Sequence, residues 1–555
     1  MKDNIVKILY TAAAILFVFM IFFGTLLYTE YTKIQKANPI KAEQLDTLKL
    51  DIKNPEISQA QLETIRELDF LHRRAWFSGQ EHFKLGVKII FICGILFAIL
   101  LQLANVLQNP NKKTNLTKQQ KATNSTLTIS IVITSLLIIF LVIIISSEHS
   151  RIRNQGADTE TAQVEEPDNA SLTENVIWAG FRGLPIQKKA PTSNWTNTAT
   201  WNRQWDIKPN LQGFSSPICT ESKIFITGAS STELAIFCYA PENGNLIWEL
   251  STEPDFAPGK SMPEVTEDTG YAASTPVTDG QYIWAIFASG DLICSDMTGK
   301  LIWRKKLHVP DNMYGYSSSL LKYNNNLIVQ YDDYEKQVLY NLDPDDGSIF
   351  WQKDREASIS WATPTLIQTN NTDIISIVTS LTCEGYSLET GEEKWFHECM
   401  GGEVAPSSAY AGRYVINTCD NATTVAINPV NGEIIWQNDA IYMPDVACPI
   451  IIENMIYMFT SGATILCLDE NTGKVLWEAE VPDGFYCSPI SIEDKLIAIN
   501  MQGKLYIIQA DRERLNVIAT KEFSQPIVTT PAIYKDSLII RTFNQLMKID
   551  LNKNN

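Results

Sequence analysis

Hydrophobic residues fall into two regimes along this 555-residue chain. Before residue 148 they gather in three uncharged runs, 8–28, 89–111 and 127–147, each long enough to cross a bilayer as a helix. After residue 176 they come in short runs broken by polar turns, which is the pattern of β-strands. In this second regime Gly-x-x-x-Trp recurs at Gly244/Trp248, Gly299/Trp303, Gly347/Trp351, Gly391/Trp395, Gly432/Trp436 and Gly473/Trp477. A seventh match, Gly280/Trp284, falls out of phase and is read as chance. Self-similarity at a period of about 40 residues predicts one supersecondary unit copied many times.

Each copy opens on a Ser/Thr-Pro segment. An apolar strand follows (223–227, 496–500), then a second strand, a polar turn ending in Gly, and a short strand closed by Trp. Gly after Asn, Asp or Thr supplies the positive φ of a tight hairpin. Four strands per unit, rich in β-branched residues, predict the blade of an all-β propeller, with the Trp docked between neighbouring blades. Eight openings align: Pro217, Pro276, Ser319, Pro364, Ser407, Pro449, Pro489 and Pro531. The last unit, 528–551, holds only three strands, whereas 200–207, with Trp205, is a closing strand placed ahead of the first opening. Trp205 is therefore expected to complete blade eight, sealing the ring and removing exposed strand edges. In the seventh unit Ile518 stands where Trp is expected.

The first apolar run is too long for a signal-peptide core, and no small-residue cleavage site or lipobox cysteine follows it, so it is expected to remain as an anchor. The loop between the second and third runs carries Lys112, Lys113, Lys118 and Lys121 and no acid, which marks it as cytoplasmic. The predicted organisation is a three-helix membrane region (1–147), an acidic linker (148–176) and an eight-bladed propeller (177–555). The protein is expected in the inner membrane as a multi-pass protein, with the propeller and segment 29–88 on the periplasmic side. Within 29–88, Ser58 and Gln61 form a capping-box pattern ahead of Leu62, Ile65, Leu68, Leu71 and Ala75 at helical spacing. With Arg73, Arg74, Trp76 and Phe77 after it, that helix either lies on the membrane surface or packs on its own bundle.

Charge narrows the partners. The net charge is −18, and it is unevenly divided: 16 Lys+Arg against 10 Asp+Glu through residue 147, then 29 against 53 beyond it. An acidic domain is unsuited to nucleic acid, which needs a basic face. Proteins, cations or neutral ligands suit it better, and the expected partners are the membrane itself and proteins of the envelope. Nine of the ten cysteines lie beyond residue 147, at no spacing that reads as a disulfide framework; Cys238, Cys294 and Cys467 precede the blade turn where Ala426 stands in the fifth unit, as buried small hydrophobes.

The repeat resembles the PQQ-like repeat family of eight-bladed propellers, which includes quinoprotein dehydrogenases and the propeller lipoprotein of the outer-membrane assembly machinery. The lead-in Trp178-Ala179-Gly180-Phe181-Arg182-Gly183, followed by Trp195 and Trp201, is similar to that of the BamB-like branch. The resemblance covers about 177–551 and implies a protein-interaction scaffold in envelope or outer-membrane protein assembly. Three apolar runs replace the lipid anchor of that pattern. The quinoprotein branch would instead imply a PQQ-dependent membrane oxidoreductase holding PQQ with Ca²⁺, an Asp base and a vicinal cysteine pair. No Cys-Cys dipeptide and no C-x-x-C-H site occurs in this sequence. An envelope ligand sensor is the third class.

No catalytic, cofactor-binding or metal-binding set is expected: the propeller has only His308 and His397, and no G-x-S-x-G or phosphate loop. Two surfaces remain as interaction candidates. Residues three places before the aligned openings include Phe214, Tyr316, Trp361 and Tyr486, which either anchor an extended ligand at the funnel mouth or fill the axis as core. The long first interval carries Asp255, Glu264, Glu267 and Asp268 in an acidic, Pro-rich insertion, 251–269.

Overall fold

The computed structural model describes residues 173–183 and 195–551, apart from 257–260, 371, 403, 421–422 and 440–442, together with scattered helical positions between 6 and 29 and between 90 and 104. The described positions before residue 105 and the described residues from 173 onward belong to two separate compact units. In the first, the Phe17 and Phe97 rings stack at 5.7 Å, and Gly24 lies beside Ile90. Among the described residues no helix is long and apolar enough to cross a membrane. The expected runs 8–28 and 89–111 are described only at scattered positions, and 127–147 and the 58–75 helix lie outside the described residues.

The second unit is an eight-bladed propeller of antiparallel sheets. Blade one spans 218–252, and its inner edge is widened by the strand Val176–Trp178. Blades two to seven span 277–306, 321–354, 365–398, 409–438, 450–480 and 490–522. Blade eight combines 532–550 with the strand Asn202–Ile207 as its outer member, so Trp205 closes the ring as its position implied. Folded structure begins ahead of the expected boundary at 177, because Glu174 accepts hydrogen bonds from Thr220, Ser222 and Lys223.

Burial explains the strand pattern. The middle strands of blade one, Ile224–Ala229 and Leu234–Tyr239, are covered on both faces and read as continuous apolar runs. Its outer strand, Leu246–Thr252, is open on one side.

The repeated Trp docks between blades as expected, but its partner is not the Gly of its own motif. In six blades the indole N–H donates to a carbonyl of the following blade's turn: Trp205 to Pro241 (3.0 Å), Trp248 to Met297 (3.1 Å), Trp303 to Pro344 (2.9 Å), Trp351 to Leu388 (3.1 Å), Trp436 to Glu470 (2.8 Å) and Trp477 to Asp511 (3.0 Å). Trp395 departs from this pattern and leaves its indole N–H without an acceptor. Each motif Gly lies against the Trp of the blade before: Gly244 on Trp205, Gly299 on Trp248, Gly347 on Trp303, Gly391 on Trp351, Gly432 on Trp395 and Gly473 on Trp436. Trp477 meets no such Gly, because the turn of blade seven, 511–514, contains none; its ring is instead set edge-on to Tyr457 at 5.7 Å. The turn Gly is required twice over at Gly473: its φ is +67°, and a Cβ there would stand 2.3 Å from the Trp436 ring. Trp284, the out-of-phase match, lies on the second strand of blade two, fully buried, and shares the Pro344 carbonyl with Trp303.

Two sequence alignments shift by one residue. A belt of hydroxyls and one thiol runs around the ring, each accepting from the backbone N–H of the blade before: Ser216 N–H to Thr275, Thr275 N–H to Ser319, Ser319 N–H to Thr363, Thr363 N–H to Ser407, and Ser407 N–H to Cys448 Sγ. Ser319 and Ser407 therefore match the residue before the Pro, and Leu320 and Ser408 are the true openings of blades three and five. In blade seven, the residue opposite Ile507, where other blades set Trp, is Ala519; Ile518 faces outward at 42% exposure. The lead-in packs next to this strand: Thr198 donates to the Thr520 carbonyl, and Trp195 and Trp201 are buried in the same cluster against which Ala519 packs.

Candidate functional site

The loops joining each outer strand to the next inner strand gather on one face of the ring with the hairpins between second and third strands. Phe214, ahead of blade one, is half-buried, and its ring lies 5.0 Å from that of Phe543, a blade-eight hairpin residue that is 38% exposed. Trp361 is buried, edge-on to Tyr314 at 4.8 Å, with its indole N–H to Asn312 at 3.4 Å and its backbone N–H to the Val404 carbonyl. Tyr486 is half-buried beside Phe485, which packs on Phe459. Tyr316 does not share this place. The one-residue shift in blade three puts Ser317 in the aligned position, and Tyr316 is buried in the core of blades two and three, 5.9 Å from Tyr331.

The insertion is clamped at both ends. Asp291, wholly buried on blade two, pairs with Arg304 (2.6 Å) and Lys306 (3.0 Å) and accepts the Asp255 backbone N–H at 3.3 Å. Arg304 also donates to the Glu253 carbonyl at 2.8 Å, and the Lys306 ammonium sits over the Phe256 ring at 4.4 Å. Burial pulls the Lys306 ammonium below its ordinary range, against the pull of Asp291. At the far end, Thr266 N–H bonds to the Met313 carbonyl, and Gly270 lies beside the Phe214 ring. The side chains of Asp255, Glu264, Glu267 and Asp268 are exposed. Thus Phe214 lies beside the far end of the acidic insertion, and Trp361 packs on Tyr314 in the same segment, 312–315, whose Met313 carbonyl holds Thr266.

Next to this face an ionic seam links blades three and four. Arg355, buried after the outer strand of blade three, pairs with Asp332 in its own blade and with Glu384 of blade four at 3.0 Å. Burial raises the Asp332 carboxyl to about 6, with Arg355 opposing.

Sequence reasoning assigned the lead-in no structural role, yet it crosses the axis. Val176–Trp178 pairs with blade one, and the following Phe181–Gly183 turn reaches the opposite side, where Arg182 Nη2 donates to the Pro449 carbonyl of blade six at 2.9 Å. Phe181 and Arg182 line a small cavity with Leu320, Pro364 and Ser407. A Cβ at Gly183, φ +76°, would meet the Trp178 ring at 2.8 Å, so Trp and Gly are needed together. The positive φ at Arg182, +62°, turns its side chain toward blade six, and no sequence signal announces it.

The motif residues themselves form no site. Trp248, Trp303, Trp351, Trp395, Trp436 and Trp477, like Trp205, are held in interblade seams, each buried or half-buried, and their role is structural. Among the described residues no group of three or more His, Cys, Asp or Glu is arranged to hold a metal.

A family model described as outer membrane protein assembly factor BamB matches residues 232–398 and 335–555. The outer membrane protein assembly factor BamB of Shewanella oneidensis is 23% identical over 226 residues, covering 38% of this chain and 55% of that protein. That of Yersinia pestis is 21% identical over 292 residues, covering 49% of this chain and 72% of that protein. The chain thus spans about half the length of the first of these relatives. The quinohemoprotein alcohol dehydrogenase of Comamonas testosteroni superposes with a TM-score of 0.53 at 9% identity, covering 70% of this chain and 82% of that one, a likeness of fold alone.

Proposed function

From the premise that the chain belongs to the family of the outer membrane protein assembly factor BamB, we propose that it is a non-catalytic scaffold that docks envelope proteins on the loop face of its propeller. The observation that carries this reading is the built presentation of the insertion: a buried Asp291 with two cations holds the start of an exposed acidic loop, and the loop ends at Gly270 beside the Phe214 ring, which itself lies against Phe543. Aromatic surface flanked by fixed charge suits a basic or amphipathic segment of a partner protein. The apolar runs 8–28, 89–111 and 127–147 would anchor the chain in the inner membrane with the propeller in the periplasm. Membership of the family favours a contribution to outer-membrane protein assembly.

The lead-in turn supports the same reading, because Phe181 and Arg182 occupy axial space that a ligand-holding funnel would leave open. A photo-cross-linking amino acid at Phe214 or Asp255 of the full-length chain in membranes tests it. Discrete protein adducts that disappear when 256–264 is deleted are expected. Saturable Trp quenching by PQQ with Ca²⁺, accompanied by dye reduction with alcohols or aldoses, would replace the scaffold with a quinoprotein oxidoreductase.

A further inference from the structure

Two cysteines that the repeat pattern left unremarked meet in blade four. Cys383 lies on its third strand, Thr382–Ser387, and Cys399 directly follows its outer strand, Glu393–Glu398. In register Cys383 faces His397, so Cys399, two residues on, is its diagonal neighbour on the same sheet face. The two sulfurs are hydrogen-bonded at 3.6 Å. Cys383 is fully buried, while Cys399 is half-exposed. Burial pushes the Cys383 thiol up, and the hydrogen bond with Cys383 holds the Cys399 thiol below its ordinary range. A third sulfur, Cys419, sits buried in the same cluster.

We propose that Cys383 and Cys399 form a reversible dithiol–disulfide pair, oxidised by exchange with a soluble low-mass disulfide. Exposure sets the order of events. The Cys399 thiolate attacks one sulfur of the donor, whose S–S bond breaks and whose first thiolate leaves and takes up a proton. Cys383 then gives up its proton and attacks Cys399 Sγ in the mixed disulfide, expelling the second donor thiolate, which is protonated in turn. Two protein thiols are oxidised as one donor disulfide is reduced. Closing the sulfurs from 3.6 Å to the bonded distance of about 2.0 Å needs a shift of Cys399, which lies just past the end of its strand, between Glu398 in the ladder and Met400 on the Leu381 carbonyl.

The bond would tie the outer strand to the third strand at the root of the loop leading to blade five. That loop holds its place through Met400 N–H to the Leu381 carbonyl and Gly402 N–H to the Ser380 carbonyl, and it carries Val404, whose carbonyl receives the Trp361 N–H. Oxidation therefore stiffens the part of the loop face around Trp361. This inference stands apart from the scaffold reading, since it rests on the thiol geometry alone.

Peptide mapping provides the test. Trypsin places Cys383 in peptide 356–394 and Cys399 in peptide 395–413, each with no other cysteine. After incubation of the native full-length chain with oxidised glutathione, the two peptides should be recovered joined. Alkylation of Cys399 should slow by at least about tenfold and recover with dithiothreitol. Cys399→Ser should lose no thiols, Cys383→Ala should stop at a glutathione adduct on Cys399, and Cys419→Ser should behave as the parent. A persistent adduct on Cys399 in the parent chain, a bond to Cys419, or unchanged thiols would each overturn the proposal.

Discussion

Trp205 lies directly opposite Lys548 in the strand pair that closes the ring, and both donate to the carbonyl of Pro241, at 3.0 and 3.1 Å. One backbone oxygen of blade one thus receives a side chain from each strand of the seam in blade eight. Trp205→Ala should cost about 2–3 kcal/mol, less than the ~3–5 of a fully buried Trp because this ring is half-exposed. Removing 202–207 altogether would bare the edge of 546–550 and should drive association. Urea unfolding and size-exclusion chromatography read the two effects, and a Trp205→Ala chain as stable as the parent would mean that the seam does not hold the ring.

Asp332 makes stability fall with rising pH. Its carboxyl is raised to about 6 in the folded state, above the ~3.9 of an unfolded chain, so the native state binds the extra proton between these values. The contribution is complete below about pH 4 and lost as pH rises through about 6. The stability of the parent minus that of Asp332→Asn should therefore shrink by up to about 2–3 kcal/mol between pH 4 and pH 6.5. A difference that is flat or grows would show that Arg355 holds Asp332 ionised throughout.

Gly385 faces Trp395 in register, at the place taken by Cys238 opposite Trp248, Cys294 opposite Trp303, Asn341 opposite Trp351, Ala426 opposite Trp436 and Cys467 opposite Trp477. A Cβ at Gly385 would stand 2.1 Å from the Trp395 ring. Accordingly Trp395 is, among the described residues, the one member of the motif whose indole N–H is buried without a partner. Gly385→Ala should cost about 1–3 kcal/mol, whereas Cys467→Ala, which imitates blade five, should cost about 1 or less. Thermal unfolding of the pair decides the matter, and equal losses would disprove the steric account.

The Asp291 clamp should govern the insertion without governing the fold. Asp291→Asn weakens two charge pairs to half-exposed cations and should cost about 2–3 kcal/mol. Tryptic cleavage after Lys260 should become several-fold faster, with the far-ultraviolet spectrum unchanged. Cleavage at the parental rate would show that Thr266 and Gly270 alone hold the loop.

The blade, the number of blades and the seam through Trp205 were all legible in the chain before any fold was known. Those features follow from local requirements, namely the positive φ of Gly473 and its counterparts and the alternation of apolar runs with turns, and repetition makes each copy test the others. Loops have no such period, so one-residue shifts at Ser319 and Ser407 emerged only from the hydroxyl belt, and Tyr316 moved from the funnel into the core with them. Ala519 could be told from Ile518 only by strand register, since adjacent residues face opposite sides. That Trp248 and Trp351 cover Gly299 and Gly391 of the next blade, and not the Gly four residues before them, is likewise a consequence of how blades stack. Tertiary structure also settled which distant residues meet: Arg182 with Pro449 across the axis, Asp291 with the insertion, and Cys383 with Cys399 across a ladder. Spacing cannot report these meetings, because closing a ring brings together side chains whose separation along the chain carries no periodic signal.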